Sequence, residues 1–235
     1  MSTSPFARPV FVLGMHRSGT SCLAGCLEEA GLYLGEVNRA APFNKKGNRE
    51  NRDAMTLNDT VLALNHARWD HPPAGEVIWN ENTLVQLDEV IATYPSDAVW
   101  GLKDPRVLLT LETWQKRVQP RFVGTFRHPS AVVSSLMTRA EAWGSPMVAD
   151  NAYQLWQAYN ARLLAAFNEA AFPIVRYDQD AQSYVSKVQA IAHDLGLPRP
   201  DAIGFHDPSL QNQLSDDRVP DAHRALWESL NEVAV

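Results

Sequence analysis

Four short runs in this chain are almost continuously apolar: Pro9–Met15, Val99–Asp104, Phe122–Arg127 and Pro173–Asp178. Such runs are expected of strands covered on both faces, as in a parallel sheet buried between helices. Each is followed by a stretch with helical spacing of its apolar positions, at Ser18–Ala30, Val107–Arg117, Ala131–Trp143 and Ala181–Leu195. The alternation predicts an α/β sandwich with a central, mainly parallel sheet and right-handed crossovers. A long insertion separates the first two strands. It carries predicted helices at Asn51–Ala67 and Asn82–Tyr94, with a Pro- and His-bearing loop, Asp70–Gly75, between them. A further helix is predicted over Asn151–Ala170, the tail Asp201–Asp217 reads as irregular, and Pro220–Val235 reads as a last helix. Insertions of this kind serve either as substrate walls or as packing appendages.

Composition narrows the class. The 235 residues suit one domain spanning 1–235, with no internal repeat and no low-complexity segment. Hydrophobic residues at 45% and charged residues at 20% exclude a disordered chain. A net charge of −6 argues against a surface that coats nucleic acid, so any anion site must be a local pocket. Met1–Arg8 has no basic start followed by an apolar stretch, so no signal peptide is expected. The longest apolar runs, such as Val10–Leu13, are too short to span a bilayer, and a cytoplasmic location is the expectation. Cys22 and Cys26 stand one helical turn apart, either as a redox pair or as two small core-facing residues. The histidines, at 16, 66, 71, 128, 193, 206 and 223, show no ligand spacing with cysteines or carboxylates, so no metal is expected.

The chemistry concentrates where the first strand meets its helix, in Gly14-Met15-His16-Arg17-Ser18-Gly19-Thr20-Ser21. Gly14 and Gly19 permit tight curvature, and the new helix points unpaired N–H groups at the loop's centre. Ser18, Thr20 and Ser21 add hydroxyl donors, and Arg17 adds a fixed positive charge. The spacing nearly matches the pattern G-x-x-x-x-G-K-[ST], but Thr20 stands where an NTPase keeps the lysine that reaches the β- and γ-phosphates. The segment therefore reads as a grip for the 5′-phosphate side of a nucleotide rather than as a triphosphate hydrolase. A second cluster follows the third strand: Arg127-His128-Pro129-Ser130, then Ser134, Ser135 and Arg139. Ser135 and Arg139 lie one turn apart on a helix that starts beside Arg127, and the three can pinch a second phosphate.

Arg17–Ser21 resembles the [KR]-S-G-T-[TS] loop of sulfotransferases that use 3′-phosphoadenosine 5′-phosphosulfate (PAPS). Arg127, Pro129 and Ser135 fit that family's 3′-phosphate motif, with a serine eight residues after the arginine. Lys103-Asp104-Pro105 resembles a run in protein-tyrosine sulfotransferases and bacterial relatives, where the lysine faces the sulfate. Tyr177 fits the family's strand-end tyrosine near the nucleotide, although Asp178 stands where Glu is usual. The glycine-rich C-terminal loop of cytosolic members cannot be identified, which points to a bacterial-type branch. The resemblance implies a P-loop-like three-layer sandwich with helical insertions. It further implies PAPS as cosubstrate held by residues 16–21, Arg127, Ser135, Arg139 and Tyr177, and no metal.

Sulfuryl transfer to a hydroxyl needs a general base on the acceptor and positive charge at the leaving oxygen. The cytosolic branch keeps a histidine two residues after its lysine, and here that position is Pro105. Asn44–Asp53 resembles a bacterial-branch stretch of the form N-x-K-G-x-x-E-x-R-D, which implies Glu50 as the base, near a helix start and Arg52. Asp104, His16 and His128 are the alternatives. Lys103 and Arg17 are the expected catalytic cations. The expected acceptor is a small molecule, sugar or peptide bearing a hydroxyl or amine, with the seven tryptophans as candidate stacking partners. Two other readings stay open at this point: a P-loop nucleotide or small-molecule kinase, and a non-catalytic nucleotide-binding protein. Oligomeric state is not legible in the sequence.

Overall fold

Strand β1 (Val10–Leu13) pairs in parallel with β2 (Gly101–Lys103) on one side and β3 (Arg121–Phe126) on the other. Strand β4 (Ile174–Arg176) extends the sheet beyond β3, giving the order β2-β1-β3-β4 with every pairing parallel. The computed structural model describes residues 8–42, 44–145, 147–210 and 218–235.

The pleat sorts the strand side chains into two cores. Val10, Val12, Val123 and Val175 face helices α1 (Thr20–Glu29) and α7 (Ala181–Asp194). Phe11, Leu13, Leu102, Phe122 and Ile174 face the opposite layer. That layer holds α2 (Arg52–Leu64), α3 (Glu81–Ala92), α4 (Val107–Val118), α5 (Pro129–Ala142), α6 (Ala149–Glu169) and α8 (Asp221–Val233). The result is a three-layer α/β sandwich in which both faces of the sheet are buried, the reason its strands lack polar alternation. Among the described residues no helix is long and apolar enough to cross a membrane.

The strands are shorter than their apolar runs. β2 stops at Lys103 because Asp104 turns out of the sheet and its carboxylate accepts from the Arg106 N–H and from Asn58 Nδ2. Helix α1 begins at Thr20 rather than Ser18, since Arg17 (φ 66°) and Gly19 (φ 86°) are left-handed and cannot continue a right-handed helix. Helix α2 begins at Arg52 because the Asn51 side chain accepts from the N–H groups of Asp53 and Ala54 and caps it. The tail keeps a single 3₁₀ turn at Pro208–Leu210, and residues 211–217 of the expected irregular stretch lie outside the described residues.

The connection out of β1 leads to β2 on one side, while β3 returns on the other. The carboxyl ends of these strands flank a topological switch point, where open α/β sheets form their ligand crevice.

Candidate functional site

Loop 14–19 leaves β1 through three left-handed residues, and its neighbours explain two of them. A Cβ on Gly14 would lie 2.4 Å from the Thr125 carbonyl oxygen, and one on Gly19 would lie 2.3 Å from the Tyr177 ring. Glycine is needed at both for close approach as much as for backbone freedom. Arg17 adopts φ 66° with a full side chain, a strained conformation that persists only where its surroundings impose it. They do so here: Arg17 Nε donates to Ser135 Oγ at 2.7 Å, and Arg127 Nη1 donates to the Arg17 carbonyl at 3.4 Å. The Thr125 hydroxyl donates to the Ser18 carbonyl at 3.2 Å. Loop 14–19 is thus strapped to β3 and α5.

Arg127 closes the other side. Its carbonyl accepts from the buried Trp156 indole at 3.0 Å, and its guanidinium stands 5.4 Å from the Tyr177 ring centre. The Tyr177 ring in turn covers Gly19. Both predicted anion grips therefore share one wall.

Lys103 and Glu50 meet at the third corner. Lys103 Nζ donates to Glu50 Oε1 at 2.7 Å, to the Asn48 carbonyl at 2.9 Å and to Ser21 Oγ at 3.2 Å. The Lys103 side chain is only 3% exposed, so its charge is balanced by Glu50 rather than by water. Glu50 is presented by a tightly built loop. Its carbonyl accepts from the Asn38 N–H, and Arg49 pairs with Glu28 at 2.8 Å. Gly47 (φ 81°) packs where a Cβ would meet the Arg39 backbone at 2.3 Å. Glu50 precedes the α2 cap, as expected, but its partner is Lys103; Arg52 is exposed. Asp104 does not pair with the neighbouring Lys103 and is wholly buried between Asn58 and Arg106.

These groups line a cleft of about 390 Å³. Its described lining carries seven Lys and Arg side chains against the two carboxylates of Glu50 and Asp207. Burial, and then repulsion from Arg139 and Arg127, holds the Arg17 pKa down to about 10. Burial also lowers Arg127 and Arg139. His16 is held well below the usual histidine value by burial first, then by Arg106, Lys103, Arg139 and Arg17. Its Nε2 is buried without a hydrogen-bond partner, and its ring lies 4.8 Å from Trp69 and 5.8 Å from Tyr159. A local concentration of desolvated cations in an acidic protein suits a polyanion electrostatically. Among the described residues no group of three or more His, Cys, Asp or Glu gathers that could hold a metal ion.

The model of the sulfotransferase family matches residues 9–201, a span that takes in the whole sheet and every lining residue named above except Asp207. The chain belongs to the sulfotransferase family. Its fold is similar to that of a sulfotransferase from Alicyclobacillus acidocaldarius, with a TM-score of 0.55 at 12% identity over 97% of this chain and 93% of that one. The sulfotransferase domain of the Synechococcus PCC 7002 olefin synthase aligns over 97% of this chain and 88% of that one, with a TM-score of 0.47 and 16% identity. No curated protein matches the chain.

In this sulfotransferase the cleft lining includes His16, Arg17, Gly19, Thr20, Ser21, Glu50, Lys103, Arg127, Ser135, Arg139 and Tyr177. Ser18 alone of the expected set does not line it and is wholly buried. His128 also lies elsewhere, with Nδ1 at 2.8 Å from Ser130 Oγ and its ring 4.9 Å from Trp227. Of the two cysteines, Cys26 is buried in the core as expected, whereas Cys22 lines the cleft. Lys45 and Lys46 also reach the lining. Their signal was present, since both belong to the Asn44–Asp53 stretch. Phe205, Asp207 and Leu210 come from the tail, and no sequence signal marks them. They arrive because Lys46 Nζ donates to the Phe205 carbonyl, while Lys46 and Arg49 stand 4.7 and 4.8 Å from its ring. The ring itself packs on Gly25 of α1.

Proposed function

We propose that this sulfotransferase moves a sulfuryl group from PAPS to a hydroxyl or amine acceptor. The observation that carries the reading is the Arg17–Ser135 hydrogen bond at 2.7 Å, which joins the 5′-side loop to the Arg127 and Ser135 pair in one cleft. Two adjoining anion grips suit a nucleotide with phosphates at both 3′ and 5′ positions better than a linear triphosphate. The donor set fits as well, because crowded, desolvated guanidinium groups gain most from a ligand that brings several negative charges.

In this reading loop 16–21 holds the 5′ end, Arg127 and Ser135 hold the 3′-phosphate, and Tyr177 borders the nucleotide. PAPS supplies the sulfuryl group as its sulfur–oxygen bond to the 5′-phosphate breaks. Arg17 and Lys103 neutralise charge at the leaving oxygen. Glu50 takes the acceptor proton, and the Lys103–Glu50 contact at 2.7 Å supports having base and cation at one point of the cleft. The alternatives are less suited. Both Asp104 oxygens are engaged by Asn58 and Arg106, and a proton on His16 would be opposed by four neighbouring cations.

Calorimetry with 3′-phosphoadenosine 5′-phosphate should show a preference over ATP of at least about 10-fold, with no need for magnesium. Arg127→Ala should weaken that bisphosphate far more than it weakens adenosine 5′-phosphosulfate, which lacks the 3′-phosphate. Magnesium-dependent ATP binding of equal strength would give the cleft to a kinase instead.

A further inference from the structure

The geometry points to an acidic acceptor: we propose that Arg139, seated between Trp69 and Trp143, reads a carboxylate on the molecule that receives the sulfuryl group. This rests on the donor assignment above, which engages Arg17, Arg127, Ser135 and Lys103 and leaves Arg139 over.

Arg139 was expected beside Ser135 at the 3′-phosphate. Its surroundings differ from those of Arg127. The guanidinium lies 4.0 Å from the Trp143 ring centre and 5.8 Å from that of Trp69. Its Nε is buried, and among the described residues it has no hydrogen-bond partner and Arg139 forms no ion pair. Its charged neighbours are Glu50 and Arg106 as well as Arg17, so it stands between the proposed base and the loop that carries Arg17. The ring of His16, also on the cleft, lies 4.8 Å from that of Trp69. Aromatic faces hold a guanidinium in place without neutralising it, and they leave its planar donor edge for an incoming group. A carboxylate matches that edge with two parallel hydrogen bonds, which a neutral hydroxyl or amide cannot form.

The tryptophans argue in the same direction. Trp114 and Trp156 are wholly buried and Trp100 nearly so, all in the core. Trp143 is 56% exposed at the end of α5, one turn beyond Arg139, so its ring reaches the guanidinium from the solvent side rather than from the core. An acceptor with its hydroxyl at Glu50 and its carboxylate at Arg139 would lie along one wall of the cleft. The proton goes to Glu50, the new bond forms between acceptor oxygen and sulfur, and the bond from sulfur to the phosphate oxygen breaks. Arg139 takes no part in the bond changes and acts as a specificity residue.

The test uses the full chain saturated with 3′-phosphoadenosine 5′-phosphate, with calorimetric titration of matched pairs: para-hydroxybenzoate, lactate and glucuronate, each against its amide. Acids should bind at least about 10-fold more tightly than amides in one or more pairs. Arg139→Gln should abolish that preference while changing bisphosphate affinity by no more than about threefold, and Trp143→Ala, at an exposed position, should reduce it. Equal binding of acid and amide in all three pairs overturns the proposal. So does a loss of bisphosphate affinity in Arg139→Gln as large as that in Arg127→Ala, which would make Arg139 a phosphate ligand. Failure of the wild-type chain to bind the bisphosphate, measured before any acceptor is added, overturns the donor assignment itself.

Discussion

Glu50 and Lys103 show how much one contact constrains. Removing either member of a buried pair leaves the other charge uncompensated, so the two substitutions have different expected costs. Glu50→Gln keeps the size and a hydrogen bond to Lys103 Nζ but cannot take a proton. It should lower turnover by roughly 10²–10⁴ and leave bisphosphate affinity nearly intact. Lys103→Ala should slow the reaction and also weaken the nucleotide, because that ammonium reaches Ser21 of the phosphate loop at 3.2 Å. Rates with sulfur-labelled PAPS, set beside calorimetric affinities, separate the two. Near-normal turnover in Glu50→Gln would remove Glu50 from the chemistry. Much of this was legible beforehand: the residue types and their neighbours in sequence marked Arg17, Lys103, Arg127 and Ser135. The Lys103–Glu50 pairing was not, since 53 residues separate the two and nearer carboxylates competed on paper. Burial decided it, by enclosing Asp104 with Asn58 and Arg106.

At the scale of elements, the site depends on how α2 is fastened to β2 and α4. Asn58, wholly buried on α2, donates to Asp104 Oδ2 at 2.9 Å, and its oxygen accepts from Thr110 Oγ1 and Trp114 Nε1, each at 2.9 Å. This hub aligns the end of β2, where Lys103 sits, with the helix that follows Glu50. Asn58→Leu would leave an indole N–H and a hydroxyl without that acceptor, and a carboxylate without one of its donors. It should destabilise the fold by about 3–5 kcal/mol, read from the shift of the urea unfolding midpoint at unchanged slope. A cost under about 1 kcal/mol would show that the hub is dispensable. Apolar patterning predicted α2 and α4 but not their link, because a buried Asn reads in sequence like a surface one. Element ends were misread for a similar reason. Ser18 has the chemistry of a helix cap, yet the left-handed turn at Arg17 and Gly19 delays α1 to Thr20.

For the whole molecule, the balance to consider is an acidic protein, net −6, whose cleft holds, among the described residues, seven Lys and Arg side chains against two carboxylates. Crowding of like charge in a desolvated cleft opposes folding, and a polyanionic ligand relieves it. Saturation with 3′-phosphoadenosine 5′-phosphate at 100 times its Kd should stabilise the native state by about 2.7 kcal/mol through mass action alone. Thermal melts should rise accordingly with the bisphosphate, and rise less with adenosine 5′-monophosphate at the same concentration. Equal shifts would deny the 3′-phosphate a role. The sequence by itself determined the layered α/β architecture, because unbroken apolar strands can be satisfied only between two helical layers. It also determined where the proposed anion grips lie along the chain, because a glycine-bracketed loop entering a helix carries its donors within a few residues of one another. The tertiary structure alone decided which distant groups face them. Lys103 meets Glu50, Arg17 meets Ser135, Trp69 comes to Arg139, and Phe205 closes on Gly25. Each of these meetings depends on the strand order β2-β1-β3-β4 and on side-chain burial, and neither leaves a periodic trace along the chain.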